Sequence, residues 1–209
     1  MESTFSPHIM IRIKNRVYYH CQRNDSTEKW KIGEEISFGS EYNHFFNKYR
    51  IDNRSFYCLF NGKEYHYIDY LYNIASKLPE TDENIRNRGK IIELALQRST
   101  IILREYLFEN IRKLNFPDYP SRQKGLWLIE SIDSLKYWKD TIFNKKGDIV
   151  LKLKVNGKAH KGYAEFIQAD VFSLDLWEDM AFNYWKGTKG EELKSEIIFE
   201  GDVEVIEIL

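Results

Sequence analysis

Residues 88–114, RGKIIELALQRSTIILREYLFENIRKL, constrain this chain most. Leu96, Leu103, Leu107, Ile111 and Leu114 recur at helical spacing, and Ile91, Ala95, Ile102 and Tyr106 widen the stripe. That period predicts a long helix with this stripe as its core face. Arg104, Glu105, Glu109 and Arg112 stand at i,i+3 and i,i+4 separations with opposite charges. They read as a salt-bridged face on a core helix. Pro117 and Pro120 end the helical region.

Strand-like segments flank this helix on both sides. Residues 9–22, IMIRIKNRVYYHCQ, carry β-branched and aromatic side chains in partial alternation. Val17, Tyr19 and Cys21 fall on one face of that strand, and Tyr18, His20 and Gln22 on the other. Asn24, Asp25, Ser26 and Thr27 are turn and cap formers, and Gly33 stops a short helix. Residues 43–50, NHFFNKYR, are helix-compatible, and Asn61-Gly62 between aromatic runs signals a hairpin. A strand follows Ser121-Arg122, and a short helix starts near Asp133 or Ser134. GDIVLKLKVNGKAHKGYAEFIQAD reads as a second hairpin turning at Asn156-Gly157. SLDLWEDMAFNYWKG reads as an amphipathic helix with an Asp175–Glu178 capping box, a Leu176, Met180, Ala181 and Tyr184 stripe, and Gly187 as its stop. The end of the chain reads as a polar loop, a strand opening on Glu196 and a second strand to Leu209. The order gives an α+β protein with a mainly antiparallel sheet. It lacks regular βαβ alternation, G-x-G-x-x-G and a Walker-A loop, which argues against the common nucleotide-binding folds.

At 209 residues and 25.1 kDa the chain is expected to be one domain. Its net charge of -1 gives no global attraction to nucleic acid or acidic membranes. Lys145, Lys146, Lys152, Lys154, Lys158 and Lys161 make the expected second hairpin locally basic, with a solvated face as its first reading and a nucleic-acid patch as the second. Cys21 and Cys58, and likewise His8, His44, His66 and His160, show no metal-ligand spacing, so no metal is expected. Free cysteines fit a reduced cytoplasmic setting. No apolar run reaches the roughly 18 residues of a membrane span, and no export signal is seen at the N-terminus.

Four stretches together resemble the ADP-ribosyltransferase fold, and more narrowly an uncharacterised bacterial family grouped with the His-type enzymes. They are VYYHCQRN, FPDYPSRQKGLWLIESIDSLKYW, AFNYWKG and EELKSEIIFEGDVEVIEI. The resemblance implies a split, mainly antiparallel sheet with a helical insertion after the first strand, at roughly residues 40–95. It implies NAD as substrate and Glu196 as the catalytic carboxylate, hydrogen-bonded to the nicotinamide ribose. It implies His20 as the residue that orients the adenosine-side ribose. Arg122 is implied at the pyrophosphate and Ser121 at the ribose or nicotinamide amide. Tyr137 or Trp138 is implied as the ring stacked on nicotinamide. The chemistry suits an oxocarbenium-like sugar, which an anion fixed beforehand stabilises.

One departure stands out. Many protein-modifying members carry Glu or Gln two positions before the catalytic Glu, and Lys194 stands there in this chain, which argues against arginine modification of a protein. The expected function is therefore transfer of ADP-ribose to a macromolecular acceptor, with nucleic acid ahead of protein. A toxin or phage-defence effector, restrained by an antitoxin or immunity protein, fits that chemistry. NAD hydrolysis, RNA 2′-phosphate transfer to NAD, and a non-catalytic interaction module are the competing readings.

Overall fold

The computed structural model describes residues 10–22, 29–50, 56–141, 148–168 and 173–209. His8, the turn formers 24–27 and Lys145 and Lys146 lie outside these residues. The fold is mixed α and β with mainly antiparallel sheets.

Two long strands form its centre. β6 (Ile149–Tyr163) pairs antiparallel with β7 (Ser195–Ile208), from Leu151↔Ile208 to Tyr163↔Ser195. β1 (Ile11–Gln22) covers the other edge of β6, with a bulge between Ile13 and Arg16. β2 (Glu35–Phe38) and β5 (Leu126–Leu128) share the outer edge of β7. β5 then returns to β1: Tyr19 and Ile129 exchange both backbone hydrogen bonds at 2.8 Å. The path β1–β6–β7–β5–β1 thus closes on itself. Leu128, Leu151, Leu153, Val155, Phe199 and Val205 fill the interior and are wholly buried. Each contributes about 1.5–3 kcal/mol by leaving water.

The structure corrects two strand boundaries. Asn156-Gly157 is not a turn; β6 runs straight through it. A Cβ on Gly157 would lie 2.2 Å from the Glu200 carbonyl oxygen, and one on Gly201 would lie 2.4 Å from the Asn156 oxygen. The two glycines are therefore where β6 and β7 approach most closely. Asn156 accepts from the Asn15 amide at 2.8 Å across the bulge of β1. The expected break in the C-terminal segment is likewise absent. β7 is one strand, bent at Gly201 with φ 139°. Asn61-Gly62 does turn the hairpin β3 (Tyr57–Phe60) to β4 (Lys63–His66), with both residues left-handed at φ 49° and 74°.

Residues 40–95 stand apart from the main sheet. α1 (His44–Arg50) precedes the hairpin, which forms its own two-stranded sheet. α2 (Tyr67–Asp69) then runs on through one π turn, Tyr70–Ile74, and a 3-10 turn, Ala75–Lys77. The stretch is therefore mixed rather than purely helical.

α3 (Asp82–Asn115) starts earlier than residue 88, where the Thr81 hydroxyl accepts from the Asn84 amide. Its orientation is the main correction. Glu105, Phe108, Glu109 and Arg112 are its buried residues, while Leu96, Leu103 and Leu114 are 63%, 50% and 77% exposed. Ile91, Ala95 and Ile102 do lie on its half-buried side. The charged face goes inward because polar partners wait for it there.

α4 (Ile132–Thr141) follows β5 as expected. α5 (Leu174–Lys186) is capped by Ser173, whose hydroxyl accepts from Leu176, and not by Asp175. Gly187, left-handed at φ 72°, closes it. Leu176 is half exposed; Trp177, Ala181, Tyr184 and Trp185 form the buried face instead. The Trp185 indole donates to the Phe108 carbonyl at 2.7 Å and fixes α5 against α3.

Candidate functional site

Pro120 leads into a turn in which the Lys124 and Gly125 amides both donate to the Ser121 carbonyl, at 3.2 and 2.7 Å. The turn is held from outside by Asn43, whose amide group donates to the Arg122 and Gly125 carbonyls at 2.8 and 3.0 Å. A Cβ on Gly125 would meet the Ser121 carbonyl at 2.8 Å, so only glycine fits. This turn drives the Arg122 side chain inward between α3, α5 and β7.

Arg122 is 3% exposed. Its guanidinium donates to Glu105 at 2.8 and 3.1 Å, to the Tyr184 hydroxyl at 2.8 Å, and to Glu196 Oε1. The Tyr184 hydroxyl donates in turn to Glu196 Oε1 at 2.7 Å. Arg104 completes the set, bonding Glu105 at 2.7 Å. Two carboxylates thus face two guanidiniums, so the buried charges balance. Burial alone would raise the Glu105 pKa, but Arg122 and Arg104 bring it down to about 2. Burial opposes the charge on Arg122, yet Glu105 and Glu196 raise its pKa well above the usual value. Tyr184 is pushed well up, first by burial, and stays a neutral phenol.

Glu196 opens β7 with 12% of its side chain exposed. Both of its bonds fall on Oε1, which leaves Oε2 without a protein partner among the described residues. The preceding residue is fixed as well. The Trp138 indole donates to the Ser195 carbonyl at 2.9 Å. The loop before it is tied down by Lys161, which pairs with Glu130 at 2.7 Å and with Glu192. The Glu191 amide donates to Glu165 at 2.8 Å.

The expected site residues divide by surroundings. Arg122 and Glu196 are brought into contact across 74 residues of sequence. Ser121 lies beside them, its hydroxyl donating to Glu109 at 2.9 Å and its amide to Glu200 at 2.7 Å. Ser121 and Arg122 therefore both spend their donors on protein carboxylates. Of the two aromatic alternatives, Trp138 is buried and structural, whereas Tyr137 is half-buried. His20 is not drawn into the Glu196 cluster. Its ring stacks on Trp30 at 5.2 Å, beside the barrel core. Its Nδ1 donates to the Trp127 carbonyl at 2.9 Å, because a carbonyl can only accept. That bond fixes the tautomer and leaves Nε2 as an acceptor. Burial lowers the His20 pKa to about 4, so the ring is neutral.

Sequence reasoning missed Glu105 and Tyr184 as members of this cluster. The signal for Tyr184 is a hydroxyl in a buried stripe, which demands a partner. Glu105 was visible only as one charge among several on α3. The described lysines of β6 do not form a free basic patch. Lys152, Lys154 and Lys158 pair with Glu207, Glu204 and Glu200 at 2.8–3.0 Å. Beside the cluster, Tyr119, His160, Lys161, Tyr163 and Lys186 line a cavity of about 260 Å³. Among the described residues no His, Cys, Asp and Glu group suits a metal, and no helix is long and apolar enough to cross a membrane.

Residues 18–209 match the model of a protein family of unknown function, DUF2441, and the chain belongs to that family. No curated protein matches it significantly.

Proposed function

From membership in a family without assigned function, and from the geometry around Glu196, we propose that this protein is an NAD-dependent ADP-ribosyltransferase. The observation that supports this best is a carboxylate fixed in advance. Glu196 is anchored through one oxygen by Arg122 and Tyr184, and the other has no protein partner among the described residues. An anion held this way stabilises a developing sugar cation without reorganising during the reaction. The bond between ribose C1′ and nicotinamide nitrogen breaks, and nicotinamide leaves with the electron pair. Glu196 Oε2 accepts from the ribose hydroxyl and faces the cationic carbon, which then bonds to a nucleophile on the macromolecular acceptor. In this reading Arg122 and Tyr184 position Glu196, His20 Nε2 accepts from the adenosine-side ribose, and Tyr137 offers the ring for nicotinamide. The Lys–Glu pairs on β6 remove one of the two reasons to favour nucleic acid over protein as acceptor, and Lys194 remains the other.

The test is incubation with NAD labelled in its adenylate part and a bacterial lysate, followed by separation of nucleic acid, protein and small molecules. Label on a macromolecule, abolished in Glu196→Gln with an unchanged circular dichroism spectrum, is the expected result and names the acceptor class. Free ADP-ribose alone would assign NAD hydrolysis to the same carboxylate. Undiminished turnover by Glu196→Gln, or no NAD consumed in any fraction, would overturn the reading.

A further inference from the structure

α3 mixes charged and apolar side chains on its inward side, where Phe108 is buried and Ile91, Ala95, Ile102, Leu107 and Ile111 are half-buried, and carries a second apolar stripe outward. Its inward side carries Arg88, Arg98, Glu105, Glu109 and Arg112. Its outward side carries Ile85, Ile92, Leu96, Leu103, Tyr106 and Leu114, which are 46–77% exposed. A helix on the surface of a lone domain keeps its outward side polar. The domain already occupies the other side: Arg88 donates to the Leu78 carbonyl at 2.9 Å, Arg98 lies 5.4 Å from the Tyr67 ring centre, and α5 holds Phe108. An apolar face left out along a helix of ~50 Å is larger than single-domain surfaces usually carry.

We infer that a second copy of this chain covers this face, the two α3 helices packing antiparallel. Three features of the stripe favour a copy of itself. First, from Ile85 to Asn110 it steps by four and three residues, the spacing by which paired helices keep one seam in contact. Second, an antiparallel pair centred between Leu96 and Ser99 sets Gly89 against Tyr106, Leu96 against Ser99, and Ile92 against Leu103, with Ile85 against Asn110 at its ends. Large side chains then meet small ones or equal ones, as close packing requires. A parallel pair would set Tyr106 on Tyr106 and leave a gap at Gly89. Third, the flanking charges do not oppose the antiparallel pairing. Arg86 comes beside Leu107 of the second copy, and Glu93 beside Thr100, so like charges do not meet. The five exposed side chains within the pairing, Ile85, Ile92, Leu96, Leu103 and Tyr106, hold on the order of 500 Å² per copy, so pairing removes up to about 1,000 Å², the size a biological interface should clear.

The experiment is sedimentation velocity on the full chain over a range of concentrations. Wild type is expected to be a dimer. Ile92→Glu and Leu103→Lys, singly, are expected to weaken the dimer about 100-fold or more, since each puts a charge into an apolar seam. Both positions are exposed, and far-ultraviolet circular dichroism checks that the variants fold. Combining the two substitutions places opposite charges face to face in the antiparallel pair, and is expected to give a tighter dimer than either single variant. A monomeric wild type at the highest concentration, or a dimer indifferent to both single variants, would overturn the proposal. A double variant no tighter than the singles would overturn the antiparallel arrangement. None of these readouts depends on enzymatic activity.

Discussion

Beneath α3, Arg122 meets Glu105 at 2.8 Å; on the open face of β6 and β7, Lys154 meets Glu204 at the same distance. The side chains of the first pair are 4% and 2% exposed, and those of the second 41% and 37%. Distance is shared and environment is not. Water screens the outer pair, and each of its side chains loses rotamer freedom by pairing, so such pairs contribute about 0.2–1 kcal/mol. The inner pair has no water to fall back on, and losing either partner strands a charge. The comparison also separates two uses of a carboxylate. On the ladder Glu204 is interchangeable with solvent. In the interior Glu105 holds Arg122, Arg122 holds Glu196, and position is the product.

Arg122→Ala should widen this contrast most. It leaves Glu105 with Arg104 alone and takes the guanidinium from Glu196, and is expected to cost about 3–5 kcal/mol, read by urea unfolding. The double variant Glu105→Leu/Arg122→Met leaves Glu196 and Arg104, each of which solvent partly reaches, and should recover part of that loss. A double variant as unstable as Arg122→Ala would mean the pair itself, rather than the stranded charge, supplies the stability.

Acid should distinguish the two regions next. His20 and His160 have pKa values lowered by burial to about 4 and about 3, so below pH ~6.5 the unfolded chain binds protons that the folded chain refuses. Stability therefore falls as pH drops from there. Glu105, at about 2 against an ordinary 4.5, adds a second loss as pH falls through that window. That loss is on the order of 3 kcal/mol. In Glu105→Gln, already less stable at neutral pH, this lower limb should flatten. An unchanged slope between pH ~4.5 and ~2 would contradict the assignment of the shift to this residue.

The smallest effect belongs to the ladder. Lys154→Ala should leave the urea unfolding midpoint almost unchanged, and high salt should erase even the small difference. A loss near that of Arg122→Ala would show that the exposed pairs couple into a network.

Much of the architecture was legible along the chain. The strands around His20, Trp127 and Ile198, the stop at Gly187 and the helix over 88–114 follow from local periodicity and caps, which depend on neighbours a few residues away. What α3 buries was not legible, because apolar spacing identifies a seam without saying which partner takes it. In this domain the partners are Arg122 and Ser121, whose guanidinium and hydroxyl donate to Glu105 and Glu109. The Glu196 cluster was readable in part. Glu196, Ser121 and Arg122 stood out in their motifs, but Glu105 and Tyr184 belong to it only through contacts across 17 and 62 residues from Arg122.

Asn-Gly shows the same division at its smallest scale. The chain contains the pair at 61–62 and at 156–157, and both carry the local signature of a hairpin turn. At 61–62 local preference acts unopposed, both residues become left-handed, and the chain reverses. At 156–157 the missing side chain of Gly157 is used instead to let β6 lie against Gly201 of β7. Sequence alone determined that each site tolerates a turn, since that depends on the backbone freedom of two residues. Whether the turn forms depended on a strand 44 residues further along the chain, whose pairing through β6 outweighs a local preference of about 1 kcal/mol.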